Sequence, residues 1–338
     1  MNKKILSIFL ILFMSTILSS CIFKKPNTKT TPPNPSSPVQ PQPSKDKSIE
    51  EDTLRFVVMA DSRGSDGGVN SEVIIKTLEK IKTLSPQPSF AVMPGDLVTG
   101  ASSYSKVKTQ LENFKNIITK YYPIEFFYPG FGNHEATAGI KAEQAFQEVF
   151  SEFNANFLDG YSKTVYYFDS GNARFYMLNS NHPGEEHEIS DKQLDFITAN
   201  MDSSKKHNYY FFHEPAYPTG THIGDSLDAN KLQRDKFWSL IDASNSPIAF
   251  CGHEHNYTRR HINSDFNEGL RGESFKFNKT VYQITTGTFG APIYKGYGDS
   301  KNVDVPPISE YHFAVVDMSE AKTIVTVYNL EGKVIDSF

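Results

Sequence analysis

Ile248-Ala249-Phe250-Cys251-Gly252-His253-Glu254-His255-Asn256-Tyr257 is an apolar run that stops at a glycine and gives way to two histidines one residue apart. A short, continuously apolar run of this kind reads as a buried strand. His253 and His255 alternate along the turn that follows, so they cannot both hide in one apolar face. Neutral imidazole is the commonest protein ligand for a metal ion. Most isolated histidines, however, are surface or satisfied core residues, so the remaining ligands must come from elsewhere in the chain.

The same arrangement recurs upstream. Phe56-Val57-Val58-Met59 leads into Asp61, Phe90-Ala91-Val92-Met93 into Pro94-Gly95-Asp96, Phe126-Phe127-Tyr128 into Gly132-Asn133-His134-Glu135, and Tyr209-Tyr210-Phe211-Phe212 into His213. Between them, Ile74, Leu78 and Ile81, and then Val107, Leu111, Phe114 and Ile118, recur at helical spacing. Continuously apolar strands alternating with amphipathic helices imply a mostly buried sheet covered by helices. Ligands of such folds collect beyond the carboxyl ends of the strands. Asp61, Asp96, Asn133, His213 and His253 should therefore converge at one edge. After His261 the runs at 281–284, 313–316 and 324–328 are β-rich without long helices between them. They suggest a second, partly antiparallel sheet packed on the first, and there is no internal repeat.

Composition bounds the answer. The 338 residues are 38% hydrophobic and 13% aromatic, which suits a globular domain with a large core. A formal net charge of −5 gives no basic footprint for DNA or RNA. A small phosphorylated substrate stays compatible with that charge.

The amino terminus reads as a targeting segment. Lys3 and Lys4 precede an apolar run from Ile5 to Leu18, and Leu18-Ser19-Ser20-Cys21 follows; this resembles a bacterial lipoprotein signal with Cys21 as the lipidated residue. Residues 1–20 are then the signal peptide, and residues 21–52, rich in Pro, Ser and Thr, a tether extending at about 3 Å per residue. The expected product is an exported protein, lipid-anchored to the bacterial membrane at the cell surface, with its folded domain at 53–338. An ordinary or uncleaved signal is the alternative. With Cys21 acylated, Cys251 has no disulfide partner.

Together the motifs resemble the calcineurin-like metallophosphoesterases, whose signature is Asp-x-His, Gly-Asp, Gly-Asn-His-Asp/Glu, a lone His, and Gly-His-x-His. Here Asp61-Ser62-Arg63, Gly95-Asp96, Gly132-Asn133-His134-Glu135, His213 and Gly252-His253-Glu254-His255 stand in that order. His213-Glu214-Pro215-Ala216-Tyr217, the segment 252–259, Gly287 to Pro292 and Gly332 to Asp336 are most similar to the purple acid phosphatase branch. The resemblance implies an α/β fold, a two-sheet β-sandwich flanked by helices in four α/β/β/α layers. It also implies that Asp96 bridges two metal ions, with Asn133, His213 and His253 on one and Asp61 and His255 on the other. Fe, Mn or Zn would suit these ligands. The implied reaction is hydrolysis of phosphate monoesters by metal-activated water, with His134 contacting phosphate or protonating the leaving oxygen. Alternatives are a phosphodiesterase acting on nucleotides, lipid headgroups or wall polymers, and a phosphate- or nucleotide-binding surface lipoprotein without turnover.

Two positions depart from the pattern. Arg63 stands where the family has a ligand histidine, and guanidinium has no lone pair for a metal. Thr99 stands where purple acid phosphatases have a tyrosine and other branches an aspartate that orients the catalytic histidine. Arg63 is open to three readings: a phosphate contact beside a weakened second metal site, a replacement for that cation in a one-metal centre, or a structural ion pair. Tyr217, His222, Arg259 and Arg260 lie near the motifs as candidate pocket residues, with His222 and one arginine read as solvated. Asn181, His182 and His187 reach the same edge without an assigned role. Natural substrate, metal identity and oligomeric state are not legible.

Overall fold

The computed structural model describes residues 53–266 and 275–338. The expected signal peptide, the tether and Cys21 lie outside the described residues. Among the described residues, no helix is long and apolar enough to cross a membrane.

Two large mixed sheets form the centre. The six-stranded sheet runs in the order Val334–Ser337, Thr323–Asn329, His312–Met318, Leu54–Val58, Ala91–Met93, Phe127–Pro129. Its last three strands are parallel, and His312–Met318 joins them antiparallel through Leu54–Val58. In the eight-stranded sheet, Ala173–Met177, His207–Phe211, Ile248–Cys251 and Val281–Thr286 form a parallel block, and antiparallel strands extend it on both sides.

The two-sheet, helix-flanked architecture is the one expected, but the division of strands differs. The β-rich stretch after His261 does not form a sheet of its own. Val281–Thr286 pairs with Ile248–Cys251, whereas His312–Met318 returns to the Leu54–Val58 strand. The apolar runs of the first half are likewise shared between the two sheets. Local pattern shows that a strand is buried but not which strand it pairs with, and His312–Met318 finds its partner more than two hundred and fifty residues earlier.

Alternation along the strands places the layers. Phe175, Tyr209, Phe211, Ile248 and Phe250 face one core, shared with Phe56, Val92 and the helices Ser71–Ile81, Tyr104–Ile118 and Ile140–Val149. Their neighbours Tyr176, Tyr210, Phe212, Ala249 and Cys251 face a second core, closed by Asp191–Ala199 and Lys231–Ala243 through Leu194, Ile197, Phe237, Trp238 and Ile241. A strand buried on both faces is apolar at every position, which is why these runs do not alternate in hydropathy. The helices form where the spacing indicated: Ile74, Leu78 and Ile81 are buried on one face, and Asn70 caps the first turn by accepting from the Val73 N–H. Cys251 is a free, buried thiol, and burial pushes its ionisation well above the usual range.

Between the sheets lies an aromatic cluster. The Phe175 ring is 5.3 Å from those of Phe56, Phe90 and Tyr209, and 4.8 Å from Phe168. Removing it would leave a cavity among these packed rings. Phe175→Ala is expected to destabilise the fold by about 3–5 kcal/mol, read from the denaturant midpoint. Ile75→Ala, at an exposed helix position, should change stability by less than about 0.5 kcal/mol.

Candidate metal centre

Every candidate ligand stands just beyond the carboxyl end of a strand. Asp61, Asp96 and Asn133 follow the three parallel strands of the six-stranded sheet, and His213, His253 and His255 follow strands of the other. The site therefore straddles both sheets at their common edge. Asp61, Asp96 and His253 have positive φ (60°, 52° and 68°), turning their side chains sharply out of the strand direction. Two glycines permit the close approach. A Cβ on Gly252 would lie 2.3 Å from Asp61 Oδ2, and one on Gly132 2.3 Å from Asp96 Oδ1.

The histidine tautomers follow from backbone carbonyls, which can only accept. His213 Nδ1 faces Pro94 O at 3.1 Å, His255 Nδ1 faces Pro292 O at 2.6 Å, and His253 Nε2 faces Asp225 O at 3.0 Å. Each facing nitrogen carries the proton, so the other ring nitrogen offers a lone pair. Those lone pairs converge. Asn133 Oδ1 is 3.0 Å from His213 Nε2 and 3.2 Å from His253 Nδ1, and Asp96 Oδ1 is 3.3 Å from His213 Nε2. His255 Nε2 lies 3.4 Å from Asp61 Oδ1. Asp61, Asp96 and His255 also bring ligand atoms within 4.8 Å of one another. Asp96 Oδ2 is buried without a hydrogen-bond partner. Oxygen and nitrogen acceptors gathered this closely, with their protons tied elsewhere, suit metal cations, and the residues present fit them.

The electrostatics agree. Burial pushes the Asp61 carboxyl up, but the neighbouring His255 and His213 rings and the His253 backbone N–H outweigh it and hold Asp61 below its ordinary range. Burial pushes His213 down, while Asp96 and Asp61 pull it up to a net rise, so the field there attracts positive charge. His253 is driven well down by burial and by the neighbouring His213 and His222, which keeps its ring neutral.

Arg63 is turned toward the centre. Its Nε is buried without a partner, 3.9 Å from Asp96 Oδ2, and its guanidinium donates to Tyr294 Oη at 2.9 Å. Tyr294 stacks on the His255 ring at 4.1 Å. The expected lack of support for His134 is corrected. Thr99 supplies its backbone carbonyl, 2.8 Å from His134 Nδ1, which leaves Nε2 facing Asp96 Oδ2 at 3.9 Å.

The outlying candidates separate. His222 is not a solvated loop residue: its ring lies 3.9 Å from that of His253 and 5.7 Å from that of Tyr294. His187 and Asn181 both bond Glu214, the residue after His213, and His182 bonds Glu143. Arg259 pairs with Asp336, and Arg260 is buried against Asp299 and the carbonyls of Tyr217 and Pro218, so both belong to the frame. Tyr217 is buried under the Arg234 guanidinium and bonds Asp235.

Sequence reasoning missed Tyr294 and the carbonyls of Pro94, Asp225 and Pro292. Carbonyls carry no sequence signal, and Tyr294 lies just beyond the Gly287 to Pro292 segment without a motif of its own. It also missed three buried glutamates beside the ligands: Glu135, Glu214 and Glu254. Glu135 accepts the backbone N–H groups of Asp96, Val98 and Gly132. Burial and the Asp96 charge nevertheless leave its carboxyl well above the ordinary range.

Solved structures repeat this architecture. Purple acid phosphatase PPD1 from yellow lupin (Lupinus luteus) seeds superposes with a TM-score of 0.65 at 17% identity, covering 85% of this chain and 53% of that one. The chain thus spans about half the length of the lupin enzyme. PhoD superposes with a TM-score of 0.60 at 10% identity, covering 85% and 72%. GAP50, the anchor in the inner membrane complex of Plasmodium, gives a TM-score of 0.53 at 15% identity, covering 85% and 88%. At these identities the likeness is one of fold. No curated protein matches the chain. A sequence model of the calcineurin-like phosphoesterase family matches residues 54–282, most of the chain and the whole ligand set, and the chain belongs to that family.

Proposed function

We propose that the protein is a metal-dependent phosphoesterase acting on phosphate monoesters, with Asp61, Asp96, Asn133, His213, His253 and His255 as the metal ligands. The observation that carries this reading is the convergence of acceptor atoms whose protons are tied to carbonyls elsewhere. Asp96, between the His213 side and the Asp61 side, would hold metal together with both. Fe, Mn and Zn all suit such a donor set. When bound, two such ions lower the pKa of a shared water and polarise the phosphoryl oxygens.

The protein's own groups do the rest. Arg63 Nε, buried and without a partner, donates to a phosphate oxygen, and Tyr294 fixes the guanidinium in that orientation. His134 keeps one proton on Nδ1 against Thr99 O, so a proton carried on Nε2 is the one available to the departing ester oxygen. His222 lays its ring over His253.

A diester reading has its own support. A cavity of about 620 Å³ borders Arg63, Asn70 and Pro292, and another of about 310 Å³ borders Asn133, Asn181 and His187. Two such spaces beside the centre leave room for organic groups on either side of a phosphate.

Export and lipid anchoring through Cys21 belong to the same proposal. Their support is the charged, apolar and Leu-Ser-Ser-Cys succession of the amino terminus. Phosphorylated small molecules outside the cell are then the substrates.

Hydrolysis of a monoester and a diester by the metal-reconstituted full chain tests the reading. Faster monoester turnover is expected; turnover of neither would contradict it. His134→Ala should lower kcat by roughly 10²–10⁴-fold. Arg63→Ala should raise KM by roughly 10–100-fold while bound metal stays the same. Cys21→Ala should move the protein from the membrane fraction to the soluble fraction on cell fractionation.

A further inference from the structure

Glu254 lies between the two histidines of the Gly-His-Glu-His turn and is fully buried. Its carboxylate makes its contacts on another segment. Oε1 accepts the backbone N–H groups of Gly220 and His222, both at 3.0 Å, and Oε2 accepts that of Thr221 at 3.2 Å. The Asn256 side-chain amide adds a longer bond of 3.4 Å to Oε2. Three consecutive N–H groups on one carboxylate define the path of that loop. Gly220 fits because a Cβ there would lie 2.6 Å from Glu254 Oε2 and 2.5 Å from Gly296 O.

What this loop delivers lies at the metal centre. Asp225 O accepts from His253 Nε2 and fixes the tautomer that leaves Nδ1 free. His222 lays its ring over the same imidazole. The turn also directs His255 toward Asp61, so one short segment both contributes two ligand candidates and holds the loop that orients one of them.

We propose that Glu254 is a positioning residue that clamps Gly220–His222 to the metal-ligand turn, and so holds His253 in its ligating tautomer and His222 over the His253 ring. The inference rests on the assignment of His253 and His255 as ligands, not on the identity of the ester hydrolysed. Groups that orient a ligating histidine typically affect metal affinity by roughly 10–100-fold when removed. Glu254→Gln keeps the volume but turns an N–H donor toward backbone N–H donors, so the clamp should open while the core stays intact.

The test is amide hydrogen exchange on the metal-stripped full chain, followed by metal titration with Mn or Zn alone. In Glu254→Gln the amides of Gly220, Thr221 and His222 should exchange at least about tenfold faster, with those of Leu54–Val58 unchanged, because only local opening is affected. Metal affinity should fall by roughly tenfold or more. Val107→Ala, a remote core substitution, should leave both readouts at these sites unchanged. Unaltered exchange at 220–222, or unaltered metal affinity, would overturn the proposal. Should Glu254→Gln fail to fold, Gly220→Ala displaces the same loop with the carboxylate left in place. The same two changes are expected there, and their absence would likewise overturn the inference. Neither readout requires turnover, so a failure of the phosphoesterase reading would remain distinguishable.

Discussion

Two carboxylates, Asp61 and Asp96, are almost wholly removed from water at the ends of neighbouring parallel strands. A buried charge costs several kcal/mol unless it is paired and hydrogen-bonded. The surroundings offset that cost only in part. Asp61 accepts the His253 N–H, and Asp96 accepts the His134 N–H, yet Asp96 Oδ2 is left without a partner. The imidazoles nearby present lone pairs, not protons, because carbonyls fix their other nitrogens. Cations complete this arrangement in a way that no side chain of the site does, apart from the guanidinium of Arg63 held 3.9 Å away.

The rigidity of the centre comes from behind the ligands. Glu135 gathers N–H groups from the Asp96 and Gly132 turns, Glu214 ties His187 and Asn181 to the residue after His213, and Glu254 gathers the 220–222 loop. Each glutamate lies within two residues of a ligand candidate, and each joins that ligand's turn to another segment. The candidate ligands themselves hang on loops, which are otherwise the most variable part of such a fold. Buried acceptors shared between loops convert them into one unit, anchored to strands that the aromatic core holds together.

Much of this was legible in the sequence, for definite reasons. Buried strands that break into Asp, Asn or His mark the edge at which Asp61, Asp96, Asn133, His213 and His253 gather, and the Gly-His-x-His turn brings His255 to the same place. The helical faces at Ile74, Leu78 and Ile81, and at Val107, Leu111 and Phe114, were equally readable. Partner choice between strands was not. His312–Met318 pairs with a strand more than two hundred and fifty residues earlier, and nothing local encodes that. Backbone chemistry was also invisible. Thr99 looked like a loss because its side chain is wrong, whereas its carbonyl orients His134. His222 and Tyr294 reach the centre by loop paths that have no periodicity to betray them.

Counting metal per chain tests the central claim most directly. The full chain, stripped and then reconstituted separately with Mn, Fe and Zn, would be compared by elemental analysis with Asp96→Asn handled identically. The account predicts two tightly held ions per wild-type chain with at least one of these metals, and loss of most of that metal in Asp96→Asn while the fold persists. A wild-type chain that retains no metal, or an Asp96→Asn chain that holds as much as the wild type, would contradict it.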